Sequence, residues 1–262
     1  MINEKESHME KTLRILNLIF FIAMIVVNAL GEFLPLGVGS TGAISEKYKN
    51  LFTPAPITFS IWGIIYLLVG YFVVYQMISS AKNWYSTEVV KAVGFWFIVS
   101  CIMNIGWMFS WHYDMIYLSV AYMVGLLLSL IMVTTEFQHL DSPPLLARVA
   151  GYGFYIYLGW ICAATIANIS VLLVKLNWGR WGMSEQIWTM IVILVGAGIG
   201  MLLILCNRNY ISAAAIIWAY CGILIKHVGQ KGYAGQYPII IATVLIAIVL
   251  ILSTGVLKFV QD

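Results

Sequence analysis

The chain has 262 residues, of which 62% are hydrophobic and only 10% are charged. Soluble domains usually carry about 25% charged residues, and they need a larger share of polar surface than this composition supplies. The net charge is only +3 and no block of like charge occurs, so the sequence also argues against nucleic-acid binding. The composition therefore predicts a chain that lies mostly in a lipid bilayer.

Apolar stretches of about 20 residues recur along the chain, and this is the length at which an α-helix crosses a bilayer. A membrane β-barrel would show shorter segments of alternating polarity, so helices are favoured. The sequence predicts an all-α integral membrane protein with eight spans, at residues 14–34, 57–79, 88–111, 114–135, 146–174, 185–206, 209–226 and 236–258. The seventh stretch is the shortest and has polar residues at both ends.

The charges flanking the spans favour one orientation weakly. If the N-terminus is cytoplasmic, eight Lys and Arg residues lie on that side and six on the other, so we expect the N-terminus inside. The first apolar stretch is longer than the core of a signal peptide, and we expect it to remain as a span. Since no Arg- and Ser-rich leader precedes it, we expect a bacterial plasma membrane rather than an organelle.

The first loop, residues 35–55, is much longer than the other connections. It is rich in glycine at its start and carries Pro54 and Pro56 near its end. Loops of this length in compact folds are often functional lids. A solvated linker is the alternative, and the loop's own residues do not decide between the two.

Ionisable groups are missing from the middle of the predicted spans. Every acidic residue lies at a span end or in a loop, with Glu32 closest to membrane depth, and the histidines are peripheral too. Such groups inside a membrane usually mark proton relays or ion paths. No pair of histidines that could hold a haem iron and no HExxH zinc motif occurs. We therefore expect no enzyme, no catalytic residue, no metal site and no cofactor.

Neutral polar and aromatic side chains do occur within the spans. Asn104 and Trp107 are three residues apart and share one helix face, and Trp160, Ala164 and Asn168 follow one another at intervals of four. One interpretation is helix packing, in which amides hydrogen-bond across helices and indoles fill space. The other is a pocket with aromatic walls and amides that orient a flat ligand.

Small residues indicate close helix packing in the sixth span. Gly196 and Gly200 form a small-xxx-small pair, which lets two helix backbones approach closely. The contact could lie within one chain or join two chains in a homodimer, and the sequence leaves both open. The four cysteines lie in apolar stretches without a CxxC pair, so we expect small buried residues rather than disulfides.

Three motifs follow one another in a fixed order. A proline-containing approach from Phe52 leads into Trp62 and Tyr66, the stretch Asn104-Ile-Gly-Trp107 follows, and the third motif runs from Trp160 through Ala-Thr to Asn168. They resemble the motifs of the second, third and fifth helices of the translocator protein / tryptophan-rich sensory protein (TspO/MBR) family. The resemblance covers about residues 14–177.

The resemblance implies a five-helix bundle over residues 1–180 whose long first loop caps a ligand cavity. Residues 181–262 would then form a three-helix membrane extension. Members of the family bind porphyrins, sterol-like molecules and aromatic ligands. The residues that match the motifs, and that the resemblance makes candidates for ligand binding, are Trp62, Tyr66, Asn104, Trp107, Trp160, Thr165 and Asn168, with Phe52, Pro54 and Pro56 in the lid loop.

These observations favour a membrane-embedded binding or sensory protein for a flat hydrophobic ligand such as a tetrapyrrole (porphyrin). A passive permease for a small neutral or apolar solute is the alternative. A regulator that responds to light or oxygen through a partner, and an enzyme that degrades porphyrin, are less favoured. The expected partners are the lipid bilayer, the hydrophobic ligand and a second copy of the chain.

Overall fold

The structure, a computed structural model, describes residues 8–34, 39–77 and 84–261. Within these ranges the chain forms α-helices and two short 3-10 helices, and no β-strand. The α-helices are α1 (His8–Phe33), α2 (Thr41–Lys47), α3 (Ile61–Met77), α4 (Trp84–His112), α5 (Ile116–Gln138), α6 (Leu145–Lys175), α7 (Glu185–Asn207), α8 (Tyr210–Val228) and α9 (Pro238–Gln261). The 3-10 helices are Pro56–Ser60, directly before α3, and Arg180–Gly182, before α7.

Eight of these helical segments are long and apolar enough to cross a membrane. They match the eight predicted spans with shifts of a few residues at most ends, and the short seventh span is confirmed as α8. The prediction of an all-α membrane protein with about eight spans is therefore confirmed. The largest difference is at the start of α1, which takes in residues from His8 onward, so that Glu10 and Lys11 belong to the helix.

Polar residues set the boundary between α7 and α8. Arg208 takes the left-handed conformation (φ 49°) that ends α7, and the Asn209 side chain accepts a hydrogen bond from the Ser212 N–H at 3.0 Å. This amide cap satisfies one of the backbone donors that every helix start leaves free. The polar run that made the seventh span uncertain in the sequence is thus a turn between two membrane helices.

The described residues form two compact units. One takes in the residues up to Ser40 and those from Trp62 to Leu158, and the other takes in Thr41–Ile61 and the residues from Gly159 onward. In the first unit, α1 packs on α4 and α4 packs on α5. In the second, α7, α8 and α9 pack on one another, and the 3-10 helix Pro56–Ser60 packs on α8. The division of the sequence at residue 180 remains a prediction based on the family resemblance.

The first turns of α1 bury charged and polar groups. Glu10 is 6% exposed and its Oε1 lies 3.2 Å from the Lys91 Nζ. Arg14, also 6% exposed, donates to the Gln76 carbonyl and, at 3.0 Å, to the Thr87 hydroxyl. Buried charges are stable only with such partners. All of these groups lie near helix ends, in keeping with the absence of charge from the middle of the predicted spans.

The small-residue pair of the sixth span makes its contacts within the chain. A β-carbon built on Gly196 would lie 3.2 Å from Ile166 Cδ1 and closer still to the Tyr220 hydroxyl. One built on Gly200 would lie 3.1 Å from Ile251 Cδ1. The contact of this glycine pair therefore lies within one chain. The homodimer remains a prediction that this pair does not support.

The cysteines are free, as expected, but not all are buried. Cys101 and Cys162 lie in the interior, whereas Cys206 is exposed. The prediction of burial is wrong for Cys206, which lies in the last turn of α7, and Cys221 is only half-buried.

Candidate functional site

Four aromatic rings form a continuous stack in the first unit, which we call the tryptophan stack: Tyr66, Trp62, Trp107 and Trp111. Trp62 lies between Tyr66 and Trp107, with ring centroids 5.3 and 6.0 Å away, and Trp107 lies 6.0 Å from Trp111. The planes of successive rings differ by 23°, 28° and 24°. Trp62 and Tyr66 are four residues apart on α3, and Trp107 and Trp111 are four apart on α4, so each helix presents two rings on one face.

A chain of hydrogen bonds runs beside the tryptophan stack and joins α1, α3, α4 and α6. The Tyr66 hydroxyl donates to Asn28 Oδ1 at 2.7 Å, and Asn28 Nδ2 donates to Asn104 Oδ1 at 2.6 Å. Asn104 Nδ2 then donates to the Tyr157 hydroxyl at 2.8 Å. The Tyr157 ring closes the arrangement by meeting Trp62 edge-on, with centroids 5.6 Å apart. We call this series the amide network.

The amide network is almost fully shielded from the outside. Asn104 is 0% and Tyr157 1% exposed, and Asn28 is 6% exposed. Amides buried to this degree cost free energy unless they are hydrogen-bonded, and here each amide is hydrogen-bonded to its neighbours in the network. The network therefore stabilises the packing of four helices, as the helix-packing interpretation of the amides requires, and it also fixes the polar edge of the tryptophan stack.

One buried polar atom of the tryptophan stack is unpaired. The indole Nε1 of Trp107, a residue only 4% exposed, has no hydrogen-bond partner among the described residues. A buried donor without an acceptor costs about 1–3 kcal/mol. Trp62 at the centre of the stack is only half-buried, so part of its side chain is exposed. The stack thus combines an accessible aromatic surface with an unused donor.

The remaining ligand-binding candidates lie on the part of α6 that belongs to the second unit. Trp160 is 3% exposed and meets the Phe59 ring edge-on, with centroids 5.8 Å apart. Asn168 is 2% exposed. Thr165 donates its hydroxyl proton to the Ile161 carbonyl of its own helix at 2.7 Å, so this proton is not available to a ligand. The structure therefore brings Trp62, Tyr66, Asn104 and Trp107 together in the first unit, whereas Trp160, Thr165 and Asn168 belong to the second unit.

The end of the first loop is buried rather than solvated. Phe52 is 4% exposed and Pro54 is buried, whereas Pro56 is exposed at the start of the 3-10 helix. The earlier part of the loop contains α2, and residues 35–38 lie outside the described residues. A freely solvated linker is not compatible with the burial of residues 50–55. Whether this segment opens as a lid stays a prediction.

Hydrogen bonds to the C-terminal helices hold this segment, residues 50–58, which we call the strap. The Leu51 N–H donates to Glu185 Oε1 at 3.2 Å, and the Leu51 carbonyl accepts from His227 Nε2 at 2.9 Å. The Ala55 N–H donates to the Gly222 carbonyl at 3.0 Å. Each of these contacts satisfies a backbone group that burial would otherwise leave unpaired.

Aromatic side chains add two further contacts to the strap. Trp218 Nε1 donates to the Thr58 carbonyl at 2.9 Å, and the Tyr233 hydroxyl donates to the Asn50 carbonyl at 3.3 Å. Burial and the neighbouring carboxylate of Glu185 raise the pKa of Tyr233 to about 12. The hydroxyl therefore stays protonated at neutral pH and remains a donor.

Several of these residues carry no signal in the sequence. Tyr157 is one of 15 tyrosines, and only its position three residues before Trp160 sets it apart. Gly222 and His227 lie outside every motif, and their role depends on contacts with a segment more than 160 residues earlier in the chain. Their partners could not be found from local spacing.

A comparison with protein-family models identifies one match. The model described as TSPO-like protein matches residues 14–257. The match includes α7, α8 and α9, which lie beyond the stretch on which the motif resemblance rested. A search of the curated proteins finds no match, and neither does a search of the solved structures.

Proposed function

The chain belongs to the TSPO-like family of integral membrane proteins, and from this premise we propose that it binds a flat hydrophobic ligand at the tryptophan stack. A tetrapyrrole such as a porphyrin, or a sterol-like molecule, has the required shape and polarity. Family membership supports a ligand-binding or sensory role in general terms. The choice of ligand and of site is the proposal, and the unpaired Trp107 N–H beside the accessible Trp62 ring is the observation that carries it.

The energetics of the stack favour such a ligand. Burial of apolar surface contributes about 25 cal/mol per Å², so a large flat molecule gains much from covering the Trp62 ring. Ring pairs at stacking distance contribute about 0.5–1.5 kcal/mol beyond their area. An acceptor at the edge of the ligand, such as a carbonyl or carboxylate oxygen, would also satisfy the Trp107 N–H.

The spacing of the rings determines how a ligand would approach. Trp62 and Trp107 are already at stacking distance, with centroids 6.0 Å apart. An inserted ring would need about twice the spacing of one stacked pair, so the ligand would pack against the exposed part of the Trp62 side chain instead of between the indoles. The amide network holds both helices in place, which keeps this surface preorganised.

Titration of protoporphyrin IX into the protein in lipid nanodiscs tests the proposal, with quenching of tryptophan fluorescence as the readout. Trp107→Phe keeps an aromatic ring in the stack and removes the N–H. We expect it to raise the Kd about 5- to 10-fold, which corresponds to one hydrogen bond. Trp181→Phe is the matched control because Trp181 is 80% exposed and takes no part in the stack.

Equal Kd values for the wild type, Trp107→Phe and Trp107→Ala would show that the ligand does not use the stack. Absence of any saturable quenching by porphyrin, and also by a fluorescent sterol, would contradict the proposal for both ligand classes.

We also propose that the protein binds its ligand without converting it. Anaerobic and illuminated incubation with porphyrin, followed by product analysis, tests this, and a new product formed only with the protein would contradict it.

A passive permease is distinguished from a binding protein by measuring solute flux. If the protein only binds its ligand, liposomes that contain the protein should release an enclosed neutral solute no faster than protein-free liposomes loaded with the same solute.

A further inference from the structure

The second unit contains a cavity of about 330 Å³, and Phe52 is the one residue of its lining among the predicted site residues. It lies where Lys49, Asn50 and Phe52 meet the end of α6 and the first two turns of α7. None of its lining residues belongs to the tryptophan stack. Its volume is at the lower end of the range for small-molecule sites, about 300–1,000 Å³. Lys49 and Gly179 on its rim are exposed, so the cavity opens to the outside.

Positive charge at the cavity is not balanced. Lys49 and Arg180 both line it, and neither has an acidic partner within 4 Å among the described residues. Among the described lining residues the one carboxylate is that of Glu185, and one of its oxygens, Oε1, accepts a hydrogen bond from the Leu51 N–H at 3.2 Å. The Arg180 Nε donates to the Met183 carbonyl at 3.4 Å, which leaves the outer nitrogens of the guanidinium group for a ligand.

Two indoles form one wall of the cavity. Trp178 and Trp188 meet edge-on with centroids 4.7 Å apart, and Trp181 lies edge-on to both at 5.1 and 6.1 Å. Apolar side chains, Leu173 and Val192 among them, continue this wall. An anion alone would not need such a surface, whereas an anionic molecule with an apolar body would cover it.

The loop that carries Arg180 has an unusual backbone. Arg180 and Trp181 both have φ of 51°, and Gly182 follows with φ of 81°, so three successive residues are left-handed. Side chains other than glycine, asparagine and aspartate rarely adopt this conformation, and where they do the strain often accompanies a binding site. Arg180, the first of these residues, lines the cavity.

We propose that this cavity binds an amphipathic anion. A phosphate or carboxylate group would contact Lys49 and Arg180, and the apolar body would pack on Trp178 and Trp188. Arg180 suits this role because guanidinium groups bind such oxyanions through two parallel hydrogen bonds. The anion could be the headgroup of a phospholipid in the bilayer or a soluble organic phosphate. The proposal does not depend on the ligand of the tryptophan stack.

Native mass spectrometry of the full-length protein, released from detergent with added lipid, tests the lipid source. We expect dioleoylphosphatidylglycerol, a net anion, to bind about tenfold more tightly than dioleoylphosphatidylcholine, because the choline cation of the latter neutralises its phosphate and is repelled by Lys49 and Arg180. The Lys49→Gln/Arg180→Gln double variant should lose this preference. Lys231→Gln should keep it, because Lys231 is an exposed lysine on a loop outside the cavity lining.

Equilibrium dialysis with 1-naphthyl phosphate tests the soluble source with the same three proteins. Saturable binding that the double variant weakens about tenfold and the Lys231→Gln variant keeps would assign the site to soluble anions. The proposal is overturned if the wild type prefers neither anionic probe, a measurement that needs no variant. It is equally overturned if the double variant binds both probes as the wild type does.

Discussion

Replacing Gly222 with alanine should separate α8 from the strap. A β-carbon at this position would lie 2.6 Å from Cγ2 and 2.8 Å from Cβ of Thr58, and closer still to Oγ1. Both branches of the threonine side chain obstruct the new methyl group, so rotation about χ1 only exchanges one clash for the other. Thr58 is 1% exposed and has no free space to move into.

The expected cost follows from the contacts involved. Overpacking a buried site costs about 1–3 kcal/mol. Displacement of the strap also weakens two hydrogen bonds, Ala55 N–H to the Gly222 carbonyl and Trp218 Nε1 to the Thr58 carbonyl, each worth about 1 kcal/mol. Alanine is the better helix former by about 0.5–1 kcal/mol, which offsets part of the loss. The free energy of unfolding should therefore fall by about 2–4 kcal/mol.

Unfolding by SDS in mixed micelles, followed by circular dichroism, measures this change. Gly198→Ala is the matched control, since a β-carbon there meets no atom within 4 Å. It should leave stability unchanged or slightly raised. Adding Thr58→Ala to the Gly222→Ala protein should restore part of the lost stability, because it removes both branches of the side chain and leaves only the Thr58 Cβ, at 2.8 Å, in the way. If Gly222→Ala and Gly198→Ala are equally stable, the described docking of the strap on α8 is wrong.

Three further variants test other contacts by the same unfolding measurement. Gly159→Ala should be strongly destabilising because its β-carbon would lie 2.7 Å from the carbonyl carbon of Ser212, and backbone atoms cannot rotate away; unchanged stability would contradict the close approach of α6 and α8. Asn104→Leu should cost about 1–2 kcal/mol because the amide network loses its central member, and a cost near zero would show that water or relaxation replaces it. Tyr233→Phe should remove a fall in wild-type stability between about pH 10 and 12. The raised pKa of Tyr233 makes its contribution complete below pH 10 and lost as pH rises through about 12, when the hydroxyl can no longer donate to Asn50. Identical pH profiles would refute this role.

The number and order of the membrane helices could be predicted from the sequence because hydrophobic length alone decides which segments can span a bilayer. The start of α1 was placed too late for the same reason. Its first turns contain Glu10 and Arg14, which look like a polar leader but are buried through an ion pair and hydrogen bonds with distant residues. A hydropathy argument cannot anticipate such pairing.

Half of the candidate site was accessible from spacing. Asn104 and Trp107 share a face of α4, and Trp62 and Tyr66 share a face of α3, so each pair was visible within its own helix. The sequence could not show that Asn28 and Tyr157 complete the amide network, because these contacts join residues 53 and 76 positions apart. The stacking of Trp62 on Trp107 likewise depends on how two helices meet.

The contacts that hold the strap could not be predicted from its local sequence. The length and prolines of the first loop left a lid and a solvated linker both open, and the burial of the strap depends on Gly222, His227 and Tyr233 at the far end of the chain. The cavity beside Arg180 could not be predicted from the sequence either. Trp178 and Trp181 have the spacing of an ordinary interfacial aromatic belt, and the sequence does not show that Trp181 lies in a left-handed turn with Arg180 or that its ring meets Trp178 edge-on.

The position of the bound ligand is the most direct test of the proposed function. Protoporphyrin IX bound to the protein in nanodiscs can be illuminated, and the nearby side chains that its singlet oxygen oxidises can be mapped by mass spectrometry. We expect oxidation of Trp62 and Trp107 above that of the exposed Trp181, at porphyrin concentrations that just saturate quenching. Oxidation that follows solvent exposure alone, with Trp181 modified first and the tryptophan stack intact, would contradict the proposed site.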